Sequence, residues 1–190
     1  MMDLALIFVS ALVINNFVLA YFLGLCPFLG VSSRVDTALR LGLATTFVML
    51  VASIAAWALN TFVLENAPYL RVISFIVVIA SMVQIVELLI KKTSPTLFRE
   101  LGIYLPLITT NCAILGLAIF QTNRGYNFVQ GFTFAVGAGL GFTMVMILMA
   151  SLRVQTELAR VPALLKGPAL VFLLAATLSM AFMGFAGLFS

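Results

Sequence analysis

Charged residues divide this 190-residue chain into six long uncharged stretches, and their spacing constrains the fold more than any motif. Runs without Asp, Glu, Lys or Arg cover residues 4–33, 41–64, 72–86, 101–123, 125–152 and 167–190. A helix rising 1.5 Å per residue needs about 20 apolar residues to cross roughly 30 Å of hydrocarbon. All six runs meet or approach that length, the third by continuing past Glu87 to Ile90. Only 8% of residues are charged and 64% are hydrophobic, which leaves a soluble domain of this size too little polar surface to face water. The expectation is an all-α integral membrane protein with six transmembrane helices in a single membrane domain, residues 1–190. Asp3 is the only early charge, and the first run outlasts the apolar core of a signal peptide, so it is read as a span.

The ten basic residues against six acidic ones have no exposed domain on which to form a nucleic-acid surface, and they report topology instead. Arg34, Arg40, Lys91, Lys92, Arg99, Arg153, Arg160 and Lys166 fall after spans one, three and five; only Arg71 and Arg124 fall after spans two and four. By the positive-inside rule the first group faces the cytoplasm, so both termini are expected to face outward.

Two short patterns recur in the same order. Cys26-Pro27-Phe28-Leu29-Gly30 and Cys112-Ala113-Ile114-Leu115-Gly116 share C-x-x-L-G, in spans one and four. Gly42, Leu43, Thr46, Val48 and Met49 match Gly139, Leu140, Thr143, Val145 and Met146, in spans two and five. The offsets of the two matches differ by about ten residues, a difference assigned to a longer loop between spans four and five. A duplicated unit follows, roughly 1–92 and 93–190. Three spans per unit make the repeats inverted, an arrangement that places sites near midmembrane on broken helices. As one helix, residues 4–30 would be about 40 Å long, so a break is expected around Gly24, Pro27 and Gly30. Cys112 is expected near the middle of a span over 101–120, which is broken in the same way.

The two thiols admit three readings: small apolar fillers, a disulfide, or metal ligands. Iron–sulfur clusters and structural zinc usually take four protein ligands. Two cysteines and no histidine leave such a site incomplete without a partner chain. Candidate lining residues are Gly24, Leu25 and Pro27 around one thiol, and Thr110, Asn111 and Ala113 around the other. Asn15, Asn16, Thr109, Thr110 and Asn111 serve either as helix–helix hydrogen bonds or as the lining of a path. Glu87 lies four residues before Lys91 and is read as its partner at the cytoplasmic interface. Gly137, Gly139 and Gly141 form a close-packing face. No nucleotide fingerprint or nucleophile set is present, so this chain holds no complete active site and binds no flavin or nucleotide alone.

VINNFVLAYFLGLCPFLGVSSRVDTA, LGLATTFVM, KKTSPTLFRELGIYLPLITTNCAILG and LSMAFMGFAGL together resemble the A-type subunit family of the Rnf complex, across essentially the whole chain. That complex, called Rsx where it reduces a redox-sensing regulator, is a bacterial ion-translocating ferredoxin:NAD oxidoreductase. The E-type component of the sodium-translocating NADH:quinone reductase is a more distant relative. The resemblance implies pairing with a homologous six-helix E-type partner of opposite orientation, beside flavin-bearing, soluble iron–sulfur and NADH- or ferredoxin-side subunits. It implies a [2Fe–2S] cluster shared in the membrane, with Cys26 and Cys112 as two of four ligands. Electron transport through it would be coupled to ion transport, Na⁺ or H⁺. Two other readings stand beside this one: a secondary transporter working alone, and a purely structural membrane component.

Overall fold

The computed structural model describes residues 2–27, 35–62, 68–93, 107–108, 110–158 and 167–185. Every regular element among them is helical. Helix α1 (Met2–Val9) runs into one π-helical turn (Ser10–Ile14), which is followed by the five-residue α2 (Phe17–Tyr21). Then come α3 (Val35–Phe62), a 3-10 turn (Pro68–Leu70) leading into α4 (Arg71–Thr93), α5 (Cys112–Asn123), α6 (Phe128–Leu158) and α7 (Pro168–Met183). Among the described residues, three segments are long and apolar enough to cross a membrane: Val35–Phe62, Arg71–Leu88 and Phe128–Thr156. Asp3–Ile14, Cys112–Asn123 and Pro168–Met183 are shorter apolar helices. Each uncharged run of the sequence contributes one of these six segments.

Helices α3 and α6 form the centre, and small residues let them approach. A Cβ added at Gly42 would sit 2.6–2.9 Å from the Thr143 side chain, and one added at Gly139 would sit 2.5–2.9 Å from that of Thr46. The contact is reciprocal, since each helix offers a glycine to the other's threonine. The two hydroxyls meet at 3.2 Å, and each also lies 2.8–2.9 Å from the carbonyl oxygen of the glycine one turn before it. Glycine at such crossings gains van der Waals contact, the main attraction between helices where lipid is as apolar as the side chains.

The expected close-packing glycines divide between two faces of α6. Gly139 faces α3, whereas Cβ atoms at Gly137 and Gly141 would meet the backbone of α1 and the π-turn, at the Phe8 and Leu12 carbonyls, 2.8 and 2.7 Å away. Spacing of four keeps positions 137 and 141 on one face and turns position 139 away from it. Ser53, Gln121 and Gly131 lock α3, α5 and α6 together. Ser53 Oγ lies 2.7 Å from Gln121 Oε1 and 3.1 Å from the Gly131 carbonyl, and Gln121 Nε2 donates to the Ser53 carbonyl at 3.2 Å.

Helix α4 is peripheral, exposing Val72, Ile73, Ile76, Val77, Ile85 and Leu88, as a face turned to lipid or another membrane protein must. Arg71 Nη1 donates to Asn123 Oδ1 at 3.3 Å, and Trp57 packs edge-on against Phe128 at 5.3 Å. These contacts gather the end of α3, the start of α4, the end of α5 and the start of α6 at one face. Glu87 is half-buried and Lys91 exposed, one turn apart near the end of α4.

The reciprocal crossing predicts a specific rescue. Gly139→Ala should cost about 1–3 kcal/mol through overpacking, read as a lower thermal midpoint in detergent. Adding Thr46→Gly should recover part of that loss, whereas a glycine at an exposed α6 position should recover none.

Candidate functional site

The first uncharged run is broken twice. At the first break the backbone N–H of Asn15 reaches the Ser10 carbonyl at 2.7 Å, which closes the π-turn. Asn16 then begins α2 as its N-cap, its Oδ1 accepting from the Val18 N–H at 3.1 Å while its Nδ2 donates to the Leu12 carbonyl at 3.2 Å. The second break follows Tyr21. Phe22 takes the left-handed conformation with φ 54°, rare for a bulky side chain, and Gly24 follows at φ 86°. The chain is helical again at 25–27, with Pro27 buried and Leu25 packed against the core. Gly24 was expected at the break and is there. Pro27 instead lies in the first turn of the resumed helix, where no N–H is needed. Gly30 lies outside the described residues.

The fourth run is broken before Cys112. Asn111 caps α5, its Oδ1 accepting from the Ala113 N–H at 3.0 Å. Cys112 is therefore the first residue of a helix and not the centre of a continuous one. Of the neighbouring threonines, Thr110 is exposed and Thr109 lies outside the described residues.

Helices α2 and α5 run antiparallel side by side. Phe17 and Tyr21 stack on Phe120 at 5.8 and 4.8 Å, and Leu23 fills the space over Gly116. Further along, Gly24 reaches the start of α5. The two breaks therefore meet. The Gly24 N–H donates to Cys112 Sγ at 3.0 Å, and a Cβ on Gly24 would lie 3.4 Å from both Ala113 and the Asn111 amide oxygen and 2.8 Å from the Phe142 ring. From Gly24, two Cα steps of 3.8 Å put the Cys26 Cα within about 12 Å of that sulfur. Both thiols are free; Cys26 is exposed and Cys112 half-buried.

Of the expected site residues, Gly24, Asn111, Cys112 and Ala113 are in direct contact, with Leu25, Cys26 and Pro27 on the adjoining turn. Sequence reasoning missed the capping roles of Asn16 and Asn111, although Asn before an apolar run is an N-cap signal. It also missed Ser179, whose hydroxyl donates to the Leu19 carbonyl at 2.7 Å and so satisfies one of the last carbonyls of α2. Beside that contact an open cavity of about 540 Å³ is lined by Ser10, Asn15, Tyr21, Phe22, Ser179 and Phe182, among others.

The family model described as Rnf-Nqr subunit, membrane protein, matches residues 4–189. The chain is 53% identical over 190 residues to the A-type subunit of the ion-translocating oxidoreductase complex of Syntrophotalea carbinolica, covering 99% of this chain and 98% of that protein. With the proteins of the same name from Serratia proteamaculans and Escherichia fergusonii it shares 51% and 52%, again over 99% of this chain and 98% of each.

The junction of the two breaks should be sensitive to a single methyl group. Gly24→Ala adds both strain at positive φ and a clash with Phe142, together about 2–4 kcal/mol. Gly125→Ala, at φ 63° with open space around it, carries the strain alone. Maleimide labelling of Cys112 should accelerate in the first variant and stay at the wild-type rate in the second.

Proposed function

The chain belongs to the Rnf-Nqr family of membrane-protein subunits, and from that premise we propose that it is the A-type subunit of an ion-translocating ferredoxin/NAD oxidoreductase of the inner membrane. In this reading Cys26 and Cys112 provide two of the four ligands of a [2Fe–2S] cluster. The observation that carries it is the junction of the two breaks, where the Gly24 N–H meets Cys112 Sγ at 3.0 Å.

The residues at the junction fit such a group. Its sulfurs are anionic hydrogen-bond acceptors, and the junction presents donors: the Gly24 N–H, the start of α5, and Asn111 Nδ2, which is buried without a partner among the described residues. Glycine at position 24 lets the backbone approach the sulfur where any side chain would strike Phe142. The exposure of Cys26 leaves its thiol open to a partner chain, and the count of two cysteines in the whole chain requires that partner to complete the ligand set. When bound, the cluster supplies a one-electron carrier at midmembrane depth. The chain's own residues present the two sulfurs, hold the backbone donors towards them and exclude water with Phe142 and Leu23.

The reciprocal pairs Gly42–Thr143 and Thr46–Gly139, with matched Asn caps at 16 and 111, support two inverted three-helix repeats. A homologous six-helix partner of opposite orientation is the natural source of the missing ligands. The Arg71–Asn123 bond joins the start of α4 to the end of α5, which supports a reading with periplasmic termini and cytoplasmic loops after spans one, three and five. Arg34, Arg99, Arg160 and Lys166, which weigh in that assignment, lie outside the described residues. A transporter working alone is the competing reading, and the 540 Å³ cavity with its Ser10 and Asn15 groups favours it.

Electron paramagnetic resonance of the reduced, anaerobically purified complex separates the two readings. Cys26→Ser and Cys112→Ser should each remove one [2Fe–2S] component and its iron while the complex stays assembled. Unchanged spectra and iron content in both variants would return the thiols to packing, and solute uptake by liposomes holding this chain alone would then favour the transporter.

A further inference from the structure

We propose that the side-chain amide of Asn111 is a dedicated hydrogen-bond donor to the sulfur group held at Cys112 and so raises that group's reduction potential. The proposal rests on the reading of Cys26 and Cys112 as cluster ligands. Asn111 is 4% exposed, yet its Nδ2 has no partner among the described residues. A buried donor left unsatisfied is destabilising, and hydrocarbon offers no water to relieve it.

The orientation of the amide follows from chemistry. Its oxygen accepts from the Ala113 N–H, and exchanging oxygen for nitrogen would set donor against donor. The NH₂ group is thereby the arm left without a partner among the described residues, on an amide whose oxygen borders Gly24. Capping alone does not call for an amide, since Ser, Thr or Asp caps a helix equally well. What asparagine adds is the second, donating arm. Asn16 shows the difference: it caps α2 in the same way, but its Nδ2 is used internally, on the Leu12 carbonyl at 3.2 Å. At Asn111 the corresponding donor is left over, beside a cysteine, among the described residues.

Another donor, the Gly24 N–H, meets Cys112 Sγ directly. Hydrogen bonds to the sulfurs are one of the protein's levers on iron–sulfur potentials. They stabilise the more negative reduced state and so shift the potential upward. Both uncharged runs that meet here lack ionised side chains, so dipoles of this kind carry a large share of the local electrostatics.

Potentiometric titration of the [2Fe–2S] signal in the purified complex tests the assignment. Asn111→Ser and Asn111→Asp both keep an oxygen for the Ala113 N–H, and both lose the amide donor. The cluster should be retained at wild-type iron content. At a fixed ambient potential its oxidised-to-reduced ratio should rise about tenfold in Asn111→Ser, a shift of about 59 mV for one electron, and further in Asn111→Asp. Asn16→Ser should leave the ratio unchanged. A retained signal with an unshifted midpoint in both Asn111 variants would reduce Asn111 to a helix cap and overturn the proposal while leaving the ligand reading intact. A [2Fe–2S] signal that persists in Cys26→Ser and Cys112→Ser would remove the ligand reading itself, and this proposal with it.

Discussion

A helix that ends inside a bilayer has no water to complete its backbone hydrogen bonds, and the rest of this structure is arranged around that constraint. Several helix ends fall within the first and fourth uncharged runs, and among the described residues four of their backbone groups find these partners in the protein. Asparagine oxygens close the starts of α2 and α5. A π-turn passes its last hydrogen bond to Asn15, whose side chain also donates to Ser10 Oγ at 2.8 Å. Ser179 reaches across from α7 to the Leu19 carbonyl. Such devices need neighbouring backbone within hydrogen-bond reach, which is why glycines line the approach. Gly141 admits the Leu12 carbonyl and the Asn16 amide next to α6, and no larger residue fits there.

The α3–α6 pair is the frame against which the broken segments are held. Its two helices lie in reciprocal register at Thr46 and Thr143, and both breaks of the first run lean on the same helix, α6. The π-turn and Asn16 rest on Gly141, and the Gly24 turn rests on Phe142, one residue later. Adjacent residues on a helix point about 100° apart. Neighbouring positions of α6 can thus support two breaks that belong to different turns of the chain. Phe142 is fully buried for this reason, as the floor of the junction.

The helical segments were legible in the sequence because charge is so costly in hydrocarbon that its positions alone delimit them. The break at Gly24 was legible too, since glycine is the residue that relieves positive φ. The break at Asn15-Asn16 was not, because an apolar run looks the same whether or not one of its residues turns to cap a helix. The recurring C-x-x-L-G drew the eye to Cys26 and Cys112 as equivalent positions. The caps also pair Asn16 with Asn111, 95 positions apart, close to the 97 that separate Thr46 from Thr143. Cys26 and Cys112 each lie in the first turn of a helix that resumes after a break, and the Gly24 turn joins the two. Ser53 and Gln121 were hidden for another reason: a lone polar residue in an apolar run carries no trace of the partner it meets 68 positions away.

On the proposed reading, electrostatics gives a reason for a redox site in this location to couple to ions. Residues 4–33 and 101–123, which hold the two thiols, contain no ionised side chain, and neither do residues 128–152 of the supporting helix α6. Charge added between Cys26 and Cys112 would therefore be met by dipoles alone: the Gly24 N–H, the Asn111 amide and the start of α5. In a medium of low dielectric constant such dipoles offset part of an added charge, and the remainder is lowered most effectively by a mobile cation drawn towards it. No arginine or lysine in these runs stands ready to play that part. On this reading, runs that carry the thiols and hold no fixed cation leave the compensation of added charge to a mobile one.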